Sequence, residues 1–181
     1  MEFIPTKFKD AWLIKPKVFG DDRGFFLESY SKKIFVEKEI DVEFVQDNHS
    51  KSEKKGTLRG LHFQSPPYTQ SKLVRVTKGK AYDVIVDIRK DSPTFGQWEG
   101  FELSAENFQM LFIPKGFAHG FVTLEDDTEF QYKCDDFYVP ESEGGIIWND
   151  PTLNIDWPLG DPILSEKDKL HPQFKDFNSP F

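Results

Sequence analysis

Polar side chains that interrupt apolar, strand-like runs are the first candidates for chemistry in this chain. GTLRGLHFQ sets Arg59, His62 and Gln64 inside an otherwise apolar stretch. Lys72 does the same in SKLVRV, and His119 in FIPKGFAHGFVTL. An imidazole titrates near neutral pH, so it can take up and return protons. Arg and Lys hold anions, and the guanidinium fork suits phosphate. Such interruptions on separate strands could converge on one lumen; the plainer alternative is a strand edge facing water. Alternation puts Leu58, Gly60, His62 and Gln64 on one face and Arg59 on the other. For Arg59 and His62 to share a pocket the strand has to bulge. A glycine inside a strand marks such a spot, and Gly60 is one.

Arg23, in DDRGFF, is a further cation, although beside Asp21 and Asp22 it reads equally well as a solvated loop charge. Aromatic residues crowd the same segments: Phe19, Phe25, Phe26, Tyr132 and Tyr138. Most belong to a core. A few could stack on a nucleobase, an interaction worth roughly 1–3 kcal/mol per base.

IPKGFAH carries Pro114, Gly116 and His119, a PxGxxH spacing that resembles the second motif of the cupin barrels. There it supplies one metal ligand, and a first motif of HxH followed by Glu supplies more. The corresponding segment here has His62, then Gln64 for the second His, and Gln70 where the Glu would sit. Two His with amides in the other places make a poor divalent-metal site. A cupin barrel without a metal is the expectation; a generic β-turn with a structural His is the alternative.

The elements that must position these residues are mostly strands. The expected strands are 25–30, 43–49, 57–63, 71–78, 81–89, 98–103, 109–114, 118–124 and 128–135. In KAYDVIVDIR, Tyr82, Val84, Val86 and Ile88 alternate with Asp83, Ile85, Asp87 and Arg89, the pattern of a half-buried strand. A short helix is expected over 31–40 with Ser31 as N-cap. A second is expected from Ser165, with Asp168 at a capping-box-like position. About ten strands at this spacing argue a β-sandwich or barrel.

The chain has 181 residues and no internal linker or repeat, which predicts one domain over 1–181. Its 38% hydrophobic and 30% charged residues are those of a globular protein. A formal charge of −8 argues against nucleic-acid or anionic-membrane partners, while leaving room for a local basic pocket. One cysteine, Cys134, rules out an internal disulfide. No apolar run reaches transmembrane length and MEFIPTKFKD lacks a signal-peptide core, so a cytoplasmic protein is expected.

These segments together resemble the dTDP-4-dehydrorhamnose 3,5-epimerases. The resemblance rests on DDRGFFLESY, FVQDNHSKS, GTLRGLHFQSPP, QSKLVRVTKGKAYDVIVDIRKDSPTFG, IPKGFAHGF, EFQYKC, EGGIIWNDP and ILSEKD, and it covers nearly the whole chain. It implies an all-β, cupin-type jelly-roll barrel with a few short helices, a homodimer, and neither a metal nor a redox cofactor. It implies a dTDP-linked 4-keto-6-deoxy sugar as substrate, inverted at C3 and C5 on the way to dTDP-L-rhamnose.

By the same resemblance, His62 is the base, Asp168 orients it, Lys72 faces the enolate oxygen and Tyr132 returns the proton from the opposite face. A core aromatic is the alternative for Tyr132, and a helix cap for Asp168. One side chain was not expected to serve both as cap and as His62 partner. Asp83 ranks below Asp168 as that partner. Arg23, Arg59 and His119 match positions around the diphosphate and sugar, Glu28 a thymine contact, and Tyr138 a ring that stacks on thymine. Gln46, Asp47 and Asn48 match a polar strand lining the substrate, and Glu143 and Lys167 peripheral positions. The stretch from Arg23 to Glu28 can act across the dimer.

Other functions fit the same residues. A relative that epimerises only C5 or only C3 would share the same base, Lys and Tyr. A metal-dependent cupin enzyme would show stoichiometric metal. A non-catalytic carbohydrate-binding barrel would bind without exchanging sugar hydrogens.

Overall fold

A computed structural model describes residues 1–181. Its strands are β1 (Glu2–Pro5), β2 (Trp12–Lys15), β3 (Val18–Asp21), β4 (Gly24–Leu27), β5 (Gln46–Ser52), β6 (Leu58–Gln64) and β7 (Lys72–Lys78). They continue as β8 (Lys80–Asp87), β9 (Trp98–Ser104), β10 (Met110–Ile113), β11 (Phe117–Thr123), β12 (Thr128–Cys134) and β13 (Glu143–Gly145). One helix, α1, spans Lys32–Val36.

The strands form a six-stranded sheet in the order β1-β2-β10-β7-β12-β5 and a five-stranded sheet in the order β13-β6-β11-β8-β9. β3 and β4 make a separate two-stranded hairpin. The chain is all-β, with the cupin-type jelly-roll architecture expected from the sequence. Between the sheets, Val74, Val76, Leu111, Ile113 and Phe130 from one wall meet Ala81, Ile85, Leu103, Phe117 and Phe121 from the other. Phe121 and Phe130 stack face to face across the gap, 4.0 Å between centroids.

Parts of both outer faces are covered as well. Leu61, Phe63, Val84, Val86 and Ile88 pack under Trp157, Phe174, Phe177 and Phe181 of the C-terminal segment. β8 therefore departs from the half-buried expectation: every residue from Asp83 to Ile88 is buried. Its apolar side points outward, because the irregular tail brings aromatic rings to cover it. The intervening residues, with Ile85 among the inner core, face the gap between the sheets. On the six-stranded sheet, the outward Ile14, Leu73, Met110 and Phe112 are covered by Phe35, Ile40, Tyr30 and Phe44, while the outward Asp47, His49 and Lys51 of β5 stay exposed.

α1 is shorter than the expected 31–40. Ser31 does occupy the N-cap position, with extended backbone, but its side chain makes no capping hydrogen bond. The helix ends in a Schellman turn: Glu39 takes φ 62°, Ile40 N–H donates to Phe35 O (3.0 Å) and Glu39 N–H to Val36 O (2.9 Å). Ile40 and Phe35 then bury together, so packing fixes the stop. The expected strand at 43–49 begins at Gln46. β1, β2, β3 and β13 were not expected; at three or four residues each they are too short for alternation to register. The helix expected from Ser165 is a single 3-10 turn, Asp168–Leu170.

Candidate active site

The site begins with the bulge at Gly60. Along the β6–β11 pair, His62 faces His119 and Arg59 faces Phe121, so three steps on β6 match two on β11. The extra residue returns Arg59 to the face that carries His62. Gly60 is required there: it takes φ 129°, and a Cβ would lie 2.5 Å from Gly120 Cα.

The tail is tied to the start of β6 by Leu58 N–H to Ile163 O (2.9 Å) and Ile163 N–H to Gly56 O (2.8 Å). This delivers Asp168 to His62, with Nε2 and Oδ1 2.5 Å apart. Asp168 is buried, while the His62 side chain stays 28% exposed. The other carboxylate oxygen, Oδ2, accepts from Ser165 Oγ (2.8 Å), which in turn accepts from Asp168 N–H (3.1 Å). The Asp168 side chain makes no capping hydrogen bond to the 3-10 turn; of the two expected roles it takes the His62 partnership, with its second oxygen held by Ser165. Burial pushes the Asp168 carboxyl up, but its neighbours His171, His62 and Ser165 outweigh that and hold it well below the usual range. With Nε2 given to an ionised carboxylate, Nδ1 is left as the basic lone pair of His62.

The opposite wall comes from the six-stranded sheet. In the β12–β7 register Lys72 faces Cys134 and Tyr132 faces Val74, so Lys72 and Tyr132 share the inner face. Lys72 Nζ lies 5.9 Å from the Tyr132 ring centroid. Burial pushes the Lys72 ammonium down from its ordinary value, opposed by Cys134, Asp83 and Glu143. Burial pushes the Tyr132 hydroxyl up, which favours its protonated form.

Between the walls lies a cavity of about 440 Å³, lined by Arg59, His62, Lys72, His119, Tyr132 and Asp168 among others. It adjoins a second of about 260 Å³, which shares His62, Lys72 and Tyr132 and adds Gln46, Asn48, Tyr138 and Glu143. At this mouth Glu143 Oε2 accepts from Tyr138 Oη (2.6 Å) and Lys167 Nζ (2.5 Å). Those two hydrogen bonds overcome the burial of Glu143 and pull its carboxyl down.

His119 has its own carboxylate. His119 Nε2 and Asp83 Oδ2 are 2.8 Å apart, both side chains nearly or wholly buried. Asp83 thus partners His119 and not His62.

Three of the expected positions stay outside the cavity. Asp47 points to the outer face, where Lys133 Nζ donates to it (2.8 Å), since alternation sends only Gln46 and Asn48 inward. Arg23 is 90% exposed on the β3–β4 hairpin, paired with Asp21. Glu28 is exposed just after it.

Gln64 and Gln70, which replace cupin metal ligands, are engaged in holding loops. Gln64 Nε2 donates to Tyr68 O (2.6 Å), its Oε1 accepts from Val139 N–H (2.7 Å), and Gln70 Nε2 donates to Asp136 O (2.9 Å). One cluster has metal-ligand composition: nitrogens of His62 and His171 and an oxygen of Asp168, all within 4.8 Å. In this arrangement His62 Nε2 is hydrogen-bonded to Asp168 Oδ1. The S-x-x-D spacing signalled the pairing of Ser165 with Asp168, whereas sequence reasoning missed His171.

Residues 5–176 match the family model of dTDP-4-dehydrorhamnose 3,5-epimerase. A protein of that name from Shigella flexneri is 55% identical over 177 residues, 97% of each chain. The dTDP-4-dehydrorhamnose 3,5-epimerase structure from Bacillus anthracis, with TDP and PPi bound, has a TM-score of 0.93 at 53% identity, over 95% of this chain and 98% of that one. The Legionella pneumophila dTDP-6-deoxy-D-glucose-3,5-epimerase, in complex with dTDP-4-keto-L-rhamnose, has a TM-score of 0.93 at 51% identity, over 98% and 94%.

Proposed function

Because this chain belongs to the dTDP-4-dehydrorhamnose 3,5-epimerase family, we propose that the two facing walls divide the epimerisation between them. The protein is an isomerase of dTDP-L-rhamnose biosynthesis. It converts dTDP-4-dehydro-6-deoxy-D-glucose to dTDP-4-dehydro-L-rhamnose by inversion at C3 and C5.

Both carbons flank the C4 ketone, so removing either hydrogen sends charge to the same oxygen. His62 Nδ1 takes the proton and Asp168 steadies the imidazolium that results. Lys72 meets the enolate oxygen, charge that develops only as the proton leaves. Tyr132 gives a proton to the other face, and solvent then restores both residues. Inversion needs a base and an acid on opposite sides. The observation that carries this reading is that His62 belongs to one sheet and Tyr132 to the other, across one cavity. Proton transfer beside a ketone calls for no redox group or metal.

Arg59 is exposed beside the base and stands outside the ion pairs that occupy Arg23 and Arg89, which supports a diphosphate contact. His119 lies further in, beside the sugar end. Gln46 and Asn48 line the nucleotide side, Tyr138 stacks on thymine, and Glu143 with Lys167 frames the mouth. Arg23 and Glu28 serve a neighbouring copy in a homodimer. Supporting this, the hairpin that carries Arg23 exposes Phe19 (52%), Phe25 (61%) and Phe26 (66%). No helix is long and apolar enough to cross a membrane, and with a single free cysteine the cytoplasm is the compartment we assign to this 181-residue domain.

The test is proton NMR in D2O with dTDP-4-keto-6-deoxyglucose. Deuterium at both C3 and C5, with inverted products, is expected. Deuterium at one carbon would make the protein a single-carbon epimerase, and exchange at neither would overturn the assignment.

A further inference from the structure

His171 directly follows the 3-10 turn that carries Asp168, and none of the roles above uses it. Its ring stands edge-on to His62, 5.4 Å between centroids at 71°. Its Nε2 is 3.7 Å from Asp168 Oδ1, the same oxygen that holds His62. That is ion-pair distance and not a formed hydrogen bond. The nitrogen is buried and has no hydrogen-bond partner.

The ring is closely boxed. A Cβ on Gly145 would fall 2.4–2.6 Å from its atoms, so β13 has no side chain at the one place where His171 packs. The next residue is fixed to the sheet edge by Ile147 N–H to Pro172 O (2.9 Å). A buried polar atom without a partner is costly, and a leucine would fill a purely apolar space without that cost.

We propose that His171 is a positioning residue for the epimerisation, acting on the base through Asp168. This rests on the assignment of His62 and Asp168 above. Asp168 Oδ1 then serves two imidazoles, His62 tightly and His171 by closing the remaining gap. Ser165 fixes Oδ2 from the other side, so the carboxylate is held at both ends. The requirement comes from the chemistry: each substrate molecule undergoes two inversions, so His62 has to return to one orientation twice. While His62 is neutral it holds Asp168 less strongly than the imidazolium does, and the second donor keeps the carboxylate in place between the two steps.

The test compares His171→Leu with His171→Gln, which keeps an N–H at the end of a side chain of similar reach. We expect His171→Leu to lower kcat about tenfold, as loss of an orienting partner commonly does. KM for the dTDP-sugar should stay within about twofold, and His171→Gln should recover most of kcat at a similar melting temperature. If His171→Leu does not fold, His171→Asn, whose amide is too short to reach Oδ1, takes its place. Parent kcat in the Leu or Asn variant would overturn the proposal. So would a loss shared by kcat, KM and melting temperature that Gln does not repair, since that marks packing alone. The parent enzyme runs alongside: if it is inert toward the substrate, the epimerase assignment fails and not this one.

Discussion

Two imidazole–carboxylate pairs lie on the same sheet, on cross-strand neighbours, and they are built for different work. His62 and Asp168 join a strand to a tail 106 residues later, with the carboxylate buried and the imidazole open to the cavity. His119 and Asp83 join two adjacent strands, and both are shut in. Asp168 spends both oxygens, one on His62 and one on Ser165, whereas Asp83 Oδ1 has no partner. A base has to expose one nitrogen while the other is fixed. The first pair meets that requirement, and the second shapes the inner end of the cavity. The residue types are the same in both, so access and second partners decide the chemistry.

Substitutions at the two carboxylates should separate the pairs most sharply. Asp168→Asn is expected to cut kcat about 10³–10⁴-fold with little change in melting temperature, as when the carboxylate behind a catalytic imidazole becomes an amide. A loss below tenfold would make the two pairs equivalent. Across the cavity, Lys72→Ala should cost on the order of 10²–10³ in kcat, the scale of one lost oxyanion donor. A change confined to KM would remove Lys72 from the chemistry. Arg59→Ala should weaken dTDP binding about tenfold, the scale of one lost charged hydrogen bond, and leave kcat nearly intact. Unchanged affinity by calorimetry would count against a diphosphate contact. Asp83→Asn should cost stability, about 1–3 kcal/mol in chemical denaturation, with only a few-fold change in kcat.

The pH profile sharpens the opposing wall. Burial lowers the Lys72 pKa, so its charge is present at low pH and is lost as pH rises, earlier than for an ordinary lysine. Burial shifts Tyr132 the other way, up from its ordinary value. The alkaline fall in kcat should therefore start below the ordinary lysine value of about 10.4. Activity that stays flat beyond that value would contradict a cationic Lys72.

Much of this was legible in the sequence. The out-of-place Arg59, His62, Lys72 and His119 do converge on one cavity, and Gly60 does carry the bulge that reunites Arg59 with His62. What escaped depended on long-range placement. β8 alternates as a half-buried strand does, and only the distant Trp157 and Phe177 reveal that its outer face is covered. Asp83 could not be assigned to His119 without the β8–β11 register. Asp47 sits in the same polar run as Gln46 and Asn48, yet the strand's alternation sends it outward to Lys133. His171 lies beyond the last strand, in an irregular tail where no periodicity indicates which way a ring points.

The most direct test is the rate of deuterium incorporation at C3 and C5 of saturating dTDP-4-keto-6-deoxyglucose, measured for His62→Ala and His119→Ala together. Exchange at both carbons should be lost in His62→Ala, by about 10³-fold or more, and stay within about tenfold of the parent in His119→Ala. Exchange surviving in His62→Ala but lost in His119→Ala would make the buried pair the base and contradict the account.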